Sequence, residues 1–238
     1  MAKICYWDIE TFGMDGLHAD GGFVISAAYQ FEGDRRPTVM VLPDFKTSYS
    51  RDKLDDKKLV MTLGAVLSDA DLWVTWYGSG FDVKYVNSRL LKHGLAPMPP
   101  KPNVDCCMVS RHNLQVRRNS LANVSQFLGL DSKTHLSWDH WMRAALGEKK
   151  SIKYVADHNV QDVVVTRQAY LMMRPLVRQH PSIQAMDDRL KGCPTCGSDK
   201  LQARGWRYAQ VSKRRQFHCT ACGSWPTGKV VKLKAGNG

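Results

Sequence analysis

The chain has 238 residues, enough for one sizeable domain and a small appendage. Its apolar share of 43% and charged share of 24% are ordinary for a globular protein, but its net charge of +12 is not. That charge favours a polyanionic partner, nucleic acid first, over an anionic membrane surface, because no basic amphipathic helix stands out.

The charge is uneven. Leu190 to Gly238 carries ten Lys/Arg against one acid, Asp199, so most of the excess lies in the C-terminal fifth. No apolar run approaches the ~20 residues that span a bilayer. Asp8 and Glu10 arrive before any apolar signal-peptide segment could form. The expectation is a soluble, cytoplasmic protein without membrane contact. The seven cysteines agree: four have metal-ligand spacing, and Cys5, Cys106 and Cys107 read as reduced, buried thiols.

In chain order, Ile4–Ile9, Phe23–Phe31 and Thr38–Leu42 read as strands close enough to form an antiparallel meander. Lys53–Ser68 has helical periodicity through Leu54, Leu59, Leu63, Val66 and Leu67. A strand follows at Leu72–Tyr77, then a helix over Phe81–His93 ending near Gly94. Pro97–Pro102 reads as a rigid connector into a short strand near Val104. Helices are expected over Ser120–Leu128, Ser137–Leu146 and Ser151–His180, the last broken near Pro175 and ended by Pro181. After Leu190 the composition turns to Cys, Gly, Lys and Arg, which sets an expected boundary between domains 1–189 and 190–238. Strands followed by helices, with the first strand central, suggest an α/β fold with a mixed sheet flanked by helices.

Asp8 and Glu10 lie two apart on the first strand, so they share one face. Like charges so placed are costly unless a cation neutralises them, and clustered oxygen ligands suit Mg²⁺ or Mn²⁺. Asp82 opens a helix after the glycine-rich turn Gly78-Ser79-Gly80. Taken alone it reads equally as a helix-terminal acid. His158 and Asp162 are four apart and share a helix face, with Tyr154 one turn earlier.

Together, Asp8-Ile9-Glu10-Thr11, Phe81-Asp82 and His158-x-x-x-Asp162 resemble the three motifs of the DEDD 3′–5′ exonucleases, on a ribonuclease H-like fold. Asn119–Leu130 resembles the helix such proteins carry between their second and third motifs. The resemblance covers about Lys3 to Pro175. It implies two-metal-ion phosphodiester hydrolysis with Mg²⁺ or Mn²⁺, acting on nucleic acid, with DNA favoured and RNA possible. It further implies that Asp8 bridges both ions, that Glu10 and Asp162 complete the site holding the attacking water, and that Asp82 supports the second ion. His158 stands at the spacing one subtype gives to tyrosine, so His158 and Tyr154 both remain open as the assisting group. An imidazole, with an ordinary pKa of ~6.5, suits a base at neutral pH better than a phenol. A bacterial or phage-infected cytoplasm fits this architecture. Two other readings stay open: a catalytically weak binding or scaffold protein on the same fold, and a structure-selective or RNA-directed nuclease.

Cys193-Pro-Thr-Cys196-Gly and Cys219-Thr-Ala-Cys222-Gly are two near-identical knuckles. Four thiolates satisfy tetrahedral Zn²⁺ and leave no open position, so the expected role is one structural Zn²⁺. The module resembles a zinc ribbon. A hairpin is expected from Trp206–Val211 and Arg215–His218 around Ser212-Lys213-Arg214, with a third strand over Lys229–Leu233. Arg204, Arg207, Lys213, Arg214, Arg215, Lys229, Lys232 and Lys234 give a cationic surface, with Trp206, Tyr208, Phe217 and Trp225 interleaved. Cations suit phosphates and aromatics stack on bases, so Arg207, Lys213, Arg214 and Arg215 are the expected nucleic-acid contacts. The ribbon could also hold a protein partner.

Overall fold

The computed structural model describes residues 2–13, 17–130 and 136–232. They divide into two compact units, one of residues 3–170 and one of residues 171–232 with Ala2.

The first unit is built on a five-stranded sheet. β1 (Ile4–Gly13), β2 (Gly22–Phe31) and β3 (Thr38–Val41) form the expected antiparallel meander. β4 (Leu72–Thr75) and β5 (Asn103–Asp105) extend it in parallel on the other side of β1. The strand order β3-β2-β1-β4-β5 leaves β1 central. Among the described residues, six α-helices belong wholly to this unit: α1 (Lys46–Arg51), α2 (Lys57–Ser68), α3 (Asp82–Lys92), α4 (Cys106–Asn113), α5 (Leu121–Phe127) and α6 (Trp138–Ala145). The long α7 (Lys149–Met173) closes it. This is the mixed sheet flanked by helices, of ribonuclease H-like kind, that the sequence implied.

Alternation along β1 decides what each face does. Cys5, Trp7 and Ile9 enter the main core with Leu59, Leu63 and Leu67 of α2 and Val86 and Leu90 of α3. Trp7 packs edge-on to Trp73 of β4, centroids 5.9 Å apart. The opposite face carries Tyr6, Asp8 and Glu10. There Tyr6 meets Tyr170 of α7, ring centroids 5.8 Å apart.

A bulge interrupts the β1–β2 pairing just after Glu10: Glu10 pairs with Ser26, but Thr11 pairs with Val24. Bulges bend a strand and re-aim its side chains, and here one stands directly beside the carboxylates. The irregular stretch is held by Asp56, fully buried, which accepts from the Val24 backbone N–H at 2.9 Å. Arg89 of α3 binds both oxygens of Asp56, from Nε at 2.8 Å and from a terminal nitrogen at 2.7 Å.

Several boundaries differ from the sequence reading, each for a physical reason. α2 starts at Lys57, because Asp52 and Asp55 accept from Leu54 and Lys57 backbone N–H groups in turns ahead of it. α4 was not foreseen. It opens immediately after β5, with Asp105 capping its first turn through Cys107 and Met108 N–H groups. α7 ends at Met173, and only a 3₁₀ turn covers Arg174–Leu176, since Pro175 has no N–H to continue the ladder.

The second unit holds a three-stranded antiparallel sheet: β6 (Leu201–Ala209), β7 (Ser212–Cys219) and β8 (Thr227–Lys232), in that order. The hairpin turns at Gln210–Val211. Ser212, Lys213 and Arg214 are therefore strand residues, paired with Ala209, Tyr208 and Arg207, and not the turn that their polarity suggested. Leu233 and Lys234 lie outside the described residues.

Candidate active site and cysteine cluster

The structure brings Glu10, His158 and Asp162 together. One ligand atom from each lies within 4.8 Å of the others. His158 Nε2 stands 3.7 Å from Glu10 Oε1 and 3.6 Å from Asp162 Oδ2. The four-residue spacing on α7 points His158 and Asp162 the same way, and Glu10 meets them from β1. Tyr154, one turn earlier, stacks instead on His140 of α6, centroids 4.5 Å apart.

Asp8 joins through Asn159. The Asn159 amide donates to Asp8 Oδ2 at 2.7 Å, and its own oxygen accepts from Ser26 Oγ at 2.9 Å. The Ser26 hydroxyl thus fixes which way the fully buried amide faces. Asp82, at the first position of α3, accepts from the Ile9 backbone N–H at 3.3 Å, which ties it to the strand between Asp8 and Glu10. Trp141 of α6 donates its indole N–H to Glu10 Oε2 at 3.1 Å. Sequence reasoning did not single out Ser26 or Trp141. Their only signal is position: Ser26 is a polar residue inside the apolar strand β2, and Trp141 follows Trp138 by three residues.

The electrostatics match a site of uncompensated negative charge. Burial first, then the charges of Asp82, Asp162 and Glu10, hold the Asp8 carboxyl well above the usual carboxylate range. Burial and the Asp162 charge push Glu10 up to about 8. Burial pushes Asp82 and Asp162 each up to about 7, hydrogen bonds from backbone N–H groups opposing the rise at Asp82. Four acids each raised toward neutrality form a set that favours either protons or a cation. The donors are hard oxygens, which fit Mg²⁺ or Mn²⁺ rather than a thiophilic metal.

The second unit brings its four cysteines together. Sγ atoms of Cys193, Cys196, Cys219 and Cys222 all lie within 4.8 Å of one another. Cys193 and Cys222 are 3.8 Å apart, and Cys196 and Cys219 are 3.7 Å apart. A tetrahedron with Zn–S bonds of ~2.3 Å has edges of ~3.8 Å, so the cluster fits tetrahedral zinc. The two knuckles repeat each other in detail. Gly197 N–H donates to Cys193 O at 2.7 Å and Gly223 N–H to Cys219 O at 2.8 Å. Both glycines have φ near +75°, a conformation a side chain would strain (76° and 75°). Cys193, Cys219 and Cys222 themselves form the local core, joined by Leu201, while Tyr208 is 69% exposed.

The pairing register splits the four expected nucleic-acid contacts between two faces of the small sheet. Lys213 and Arg215 share a face with Trp206, their cationic groups 4.6 Å and 5.3 Å from its ring centroid. Arg207 and Arg214 pair across strands on the opposite face.

Comparisons with known proteins agree with the architecture. Residues 5–173 match the RNase_H superfamily, and the chain belongs to that superfamily. The fold is similar to a solved family B DNA polymerase from the hyperthermophilic archaeon Pyrobaculum calidifontis, with a TM-score of 0.56 at 12% sequence identity. That alignment covers 89% of this chain and 31% of the polymerase chain. Comparison with curated protein sequences gives no match. Among the described residues, no helix is long and apolar enough to cross a membrane. Superfamily membership, together with the acidic site, supports nuclease-type chemistry in general.

Proposed function

We propose that the chain is a metal-dependent 3′–5′ exonuclease that hydrolyses the phosphodiester bonds of nucleic acid, with DNA and single-stranded 3′ ends favoured, and releases 5′-nucleotides. The observation that carries this reading is the convergence of Glu10, His158 and Asp162, from a strand and a helix almost 150 residues apart, beside Asp8 and Asp82. Order and spacing of the three motifs support the exonuclease reading over other nuclease types.

In this reading Asp8, Glu10, Asp82 and Asp162 hold two Mg²⁺ or Mn²⁺ ions. Such ions, when bound, lower the pKa of water and stabilise charge on the phosphoryl oxygens. The protein's own contribution is positioning and proton transfer. Asn159 occupies Asp8 Oδ2 and leaves the other oxygen available. Trp141 occupies Glu10 Oε2 and leaves Oε1 facing His158. His158, 3.7 Å from Glu10 and 3.6 Å from Asp162, would take the proton from the attacking water.

Residues 1–189 would form the catalytic domain and 190–238 a ribbon whose folding is coupled to one structural Zn²⁺ at Cys193, Cys196, Cys219 and Cys222. Arg207, Lys213, Arg214 and Arg215 of the ribbon would contact nucleic acid from the two faces of the small sheet, consistent with the excess of positive charge in this segment.

The test uses purified protein, Mn²⁺ or Mg²⁺, and a 5′-labelled single-stranded oligonucleotide. The expected product is a ladder shortening from the 3′ end, abolished in Asp8→Ala. Cleavage of circular single strands, which have no 3′ end, would assign an endonuclease instead.

A further inference from the structure

Among the described residues, Tyr77 is the one non-glycine residue with a positive φ, 64°. A side chain disfavours that conformation, and strain of this kind gathers at functional sites. The ring is nonetheless 42% exposed. What holds the backbone is plain. Tyr77 N–H donates to Asp105 Oδ1 at 3.0 Å, and its carbonyl accepts from Gly80 and Phe81 N–H groups at 2.9 and 3.0 Å. The other Asp105 oxygen takes the Ser79 N–H at 3.1 Å and its hydroxyl. Glycine would meet the same backbone demand without strain, so the demand does not account for a tyrosine.

The ring has two neighbours of note. It lies over Gly80, where an added β-carbon would come within 2.4 Å of it. The Arg111 guanidinium stands 5.1 Å from its centroid. Arg111 opens an exposed cationic stretch: from Cys106 to Leu130 the chain has three arginines, Arg111, Arg117 and Arg118, and no Asp, Glu or Lys. This stretch is tied to the residue before Tyr77, since Trp76 Nε1 donates to Asn119 O at 3.1 Å. The location is next to the acidic site. β4 leaves the sheet after Thr75, one step past the Tyr6–Val74 pair and so level with Trp7 and Asp8, and the same turn delivers Asp82.

We propose that Tyr77 and Arg111 form a subsite for single-stranded nucleic acid beside the carboxylate cluster. The phenol ring stacks on a base, the guanidinium takes a backbone phosphate, and Arg117 and Arg118 extend the track. A rigid, strained loop presents the ring without an ordering cost on binding. The subsite rests on the exonuclease reading only for the direction in which the strand is led.

The test compares full-length wild type with Tyr77→Gly, Tyr77→Phe and Arg111→Gln. Binding of labelled oligothymidylate is measured in EDTA by anisotropy, thermal midpoints are recorded, and turnover in Mn²⁺ is followed on the oligonucleotide and on the p-nitrophenyl ester of thymidine 5′-monophosphate. Tyr77→Gly is expected to keep or raise the thermal midpoint and weaken oligothymidylate binding about tenfold. Tyr77→Phe should retain the affinity, and Arg111→Gln should reduce the salt slope by about one. A lowered midpoint in Tyr77→Gly with unchanged affinity would overturn the subsite and leave the ring a structural cover for Gly80. If wild type turns over neither substrate, the exonuclease reading fails, and the EDTA binding comparison still decides the subsite.

Discussion

The backbone N–H of Val24 donates to the buried carboxylate of Asp56 at 2.9 Å, directly opposite the bulge that follows Glu10. A bulge leaves one backbone group without its ladder partner, and a buried orphan is costly. Asp56 fills that place and is in turn held by Arg89, itself only 4% exposed, and by His93 Nε2 at 2.6 Å. The shape of β2 where it pairs with the acidic end of β1 therefore depends on a charge pair on another layer of the fold.

Asp56→Ala removes one member of this pair and strands Arg89 in the core. The expected cost is about 3–5 kcal/mol of unfolding free energy. Urea denaturation in EDTA reads it. A loss below ~1 kcal/mol would mean that the bulge is held by other contacts.

Asn159 positions Asp8, and Ser26 positions Asn159. Asn159→Ala should reduce metal affinity or activity by roughly 10–100-fold, the usual range for an orienting partner. Ser26→Ala should do less, because the amide keeps its donor. Mn²⁺ titration of activity separates the two, and an unchanged midpoint in Asn159→Ala would remove the amide from the site's design.

The raised carboxyls make metal-free stability depend on pH. Glu10, Asp82 and Asp162 titrate near about 8, 7 and 7 in the folded chain. In the unfolded chain they titrate near ~4. Across the interval between, the folded state binds more protons, so their stabilisation is complete below ~4 and is lost as pH rises to about 8. Metal-free protein should melt lower at pH 8 than at pH 6, and Mn²⁺ should raise the midpoint more at pH 8. Equal gains at both pH values would argue against these carboxylates as ligands.

His158→Phe removes the proposed base while keeping an aromatic ring in its place. The expected loss in turnover is about 10²–10⁴-fold, with the acidic limb of the pH–rate profile flattened. A wild-type profile at normal rate would transfer the role to another group.

Cys193→Ser, or a strong zinc chelator, should unfold the ribbon while the main sheet persists. One zinc per chain by elemental analysis is expected for the untreated protein. Near-ultraviolet signals from Trp206 and Trp225 report the ribbon. Intact signals after chelation would mean that the knuckles fold without metal.

Much of this was legible in the sequence, for local reasons. Strand alternation put Asp8 and Glu10 on one face, a four-residue helical step aligned His158 with Asp162, and repeated Cys-x-x-Cys-Gly marked the knuckles. What escaped was long-range or conformational. Asp56 and Val24 are 32 residues apart, and nothing local announces their bond. α4 hid behind a proline-rich connector because its cap, Asp105, belongs to the preceding strand. The strain at Tyr77 is invisible in the residue's name. The ribbon's Ser212-Lys213-Arg214 was misplaced because a polar triplet reads as a turn, whereas an exposed sheet accepts charges on both faces.

Asn159 and Asp8 lie 151 residues apart in the chain and 2.7 Å apart in space. A ribosome making this protein therefore releases β1 long before its acids have their partner. Until α7 emerges, Asp8 and Glu10 sit on a strand with no amide to aim Asp8 and no imidazole beside Glu10. The nascent chain thus has no assembled site until α7 has been made.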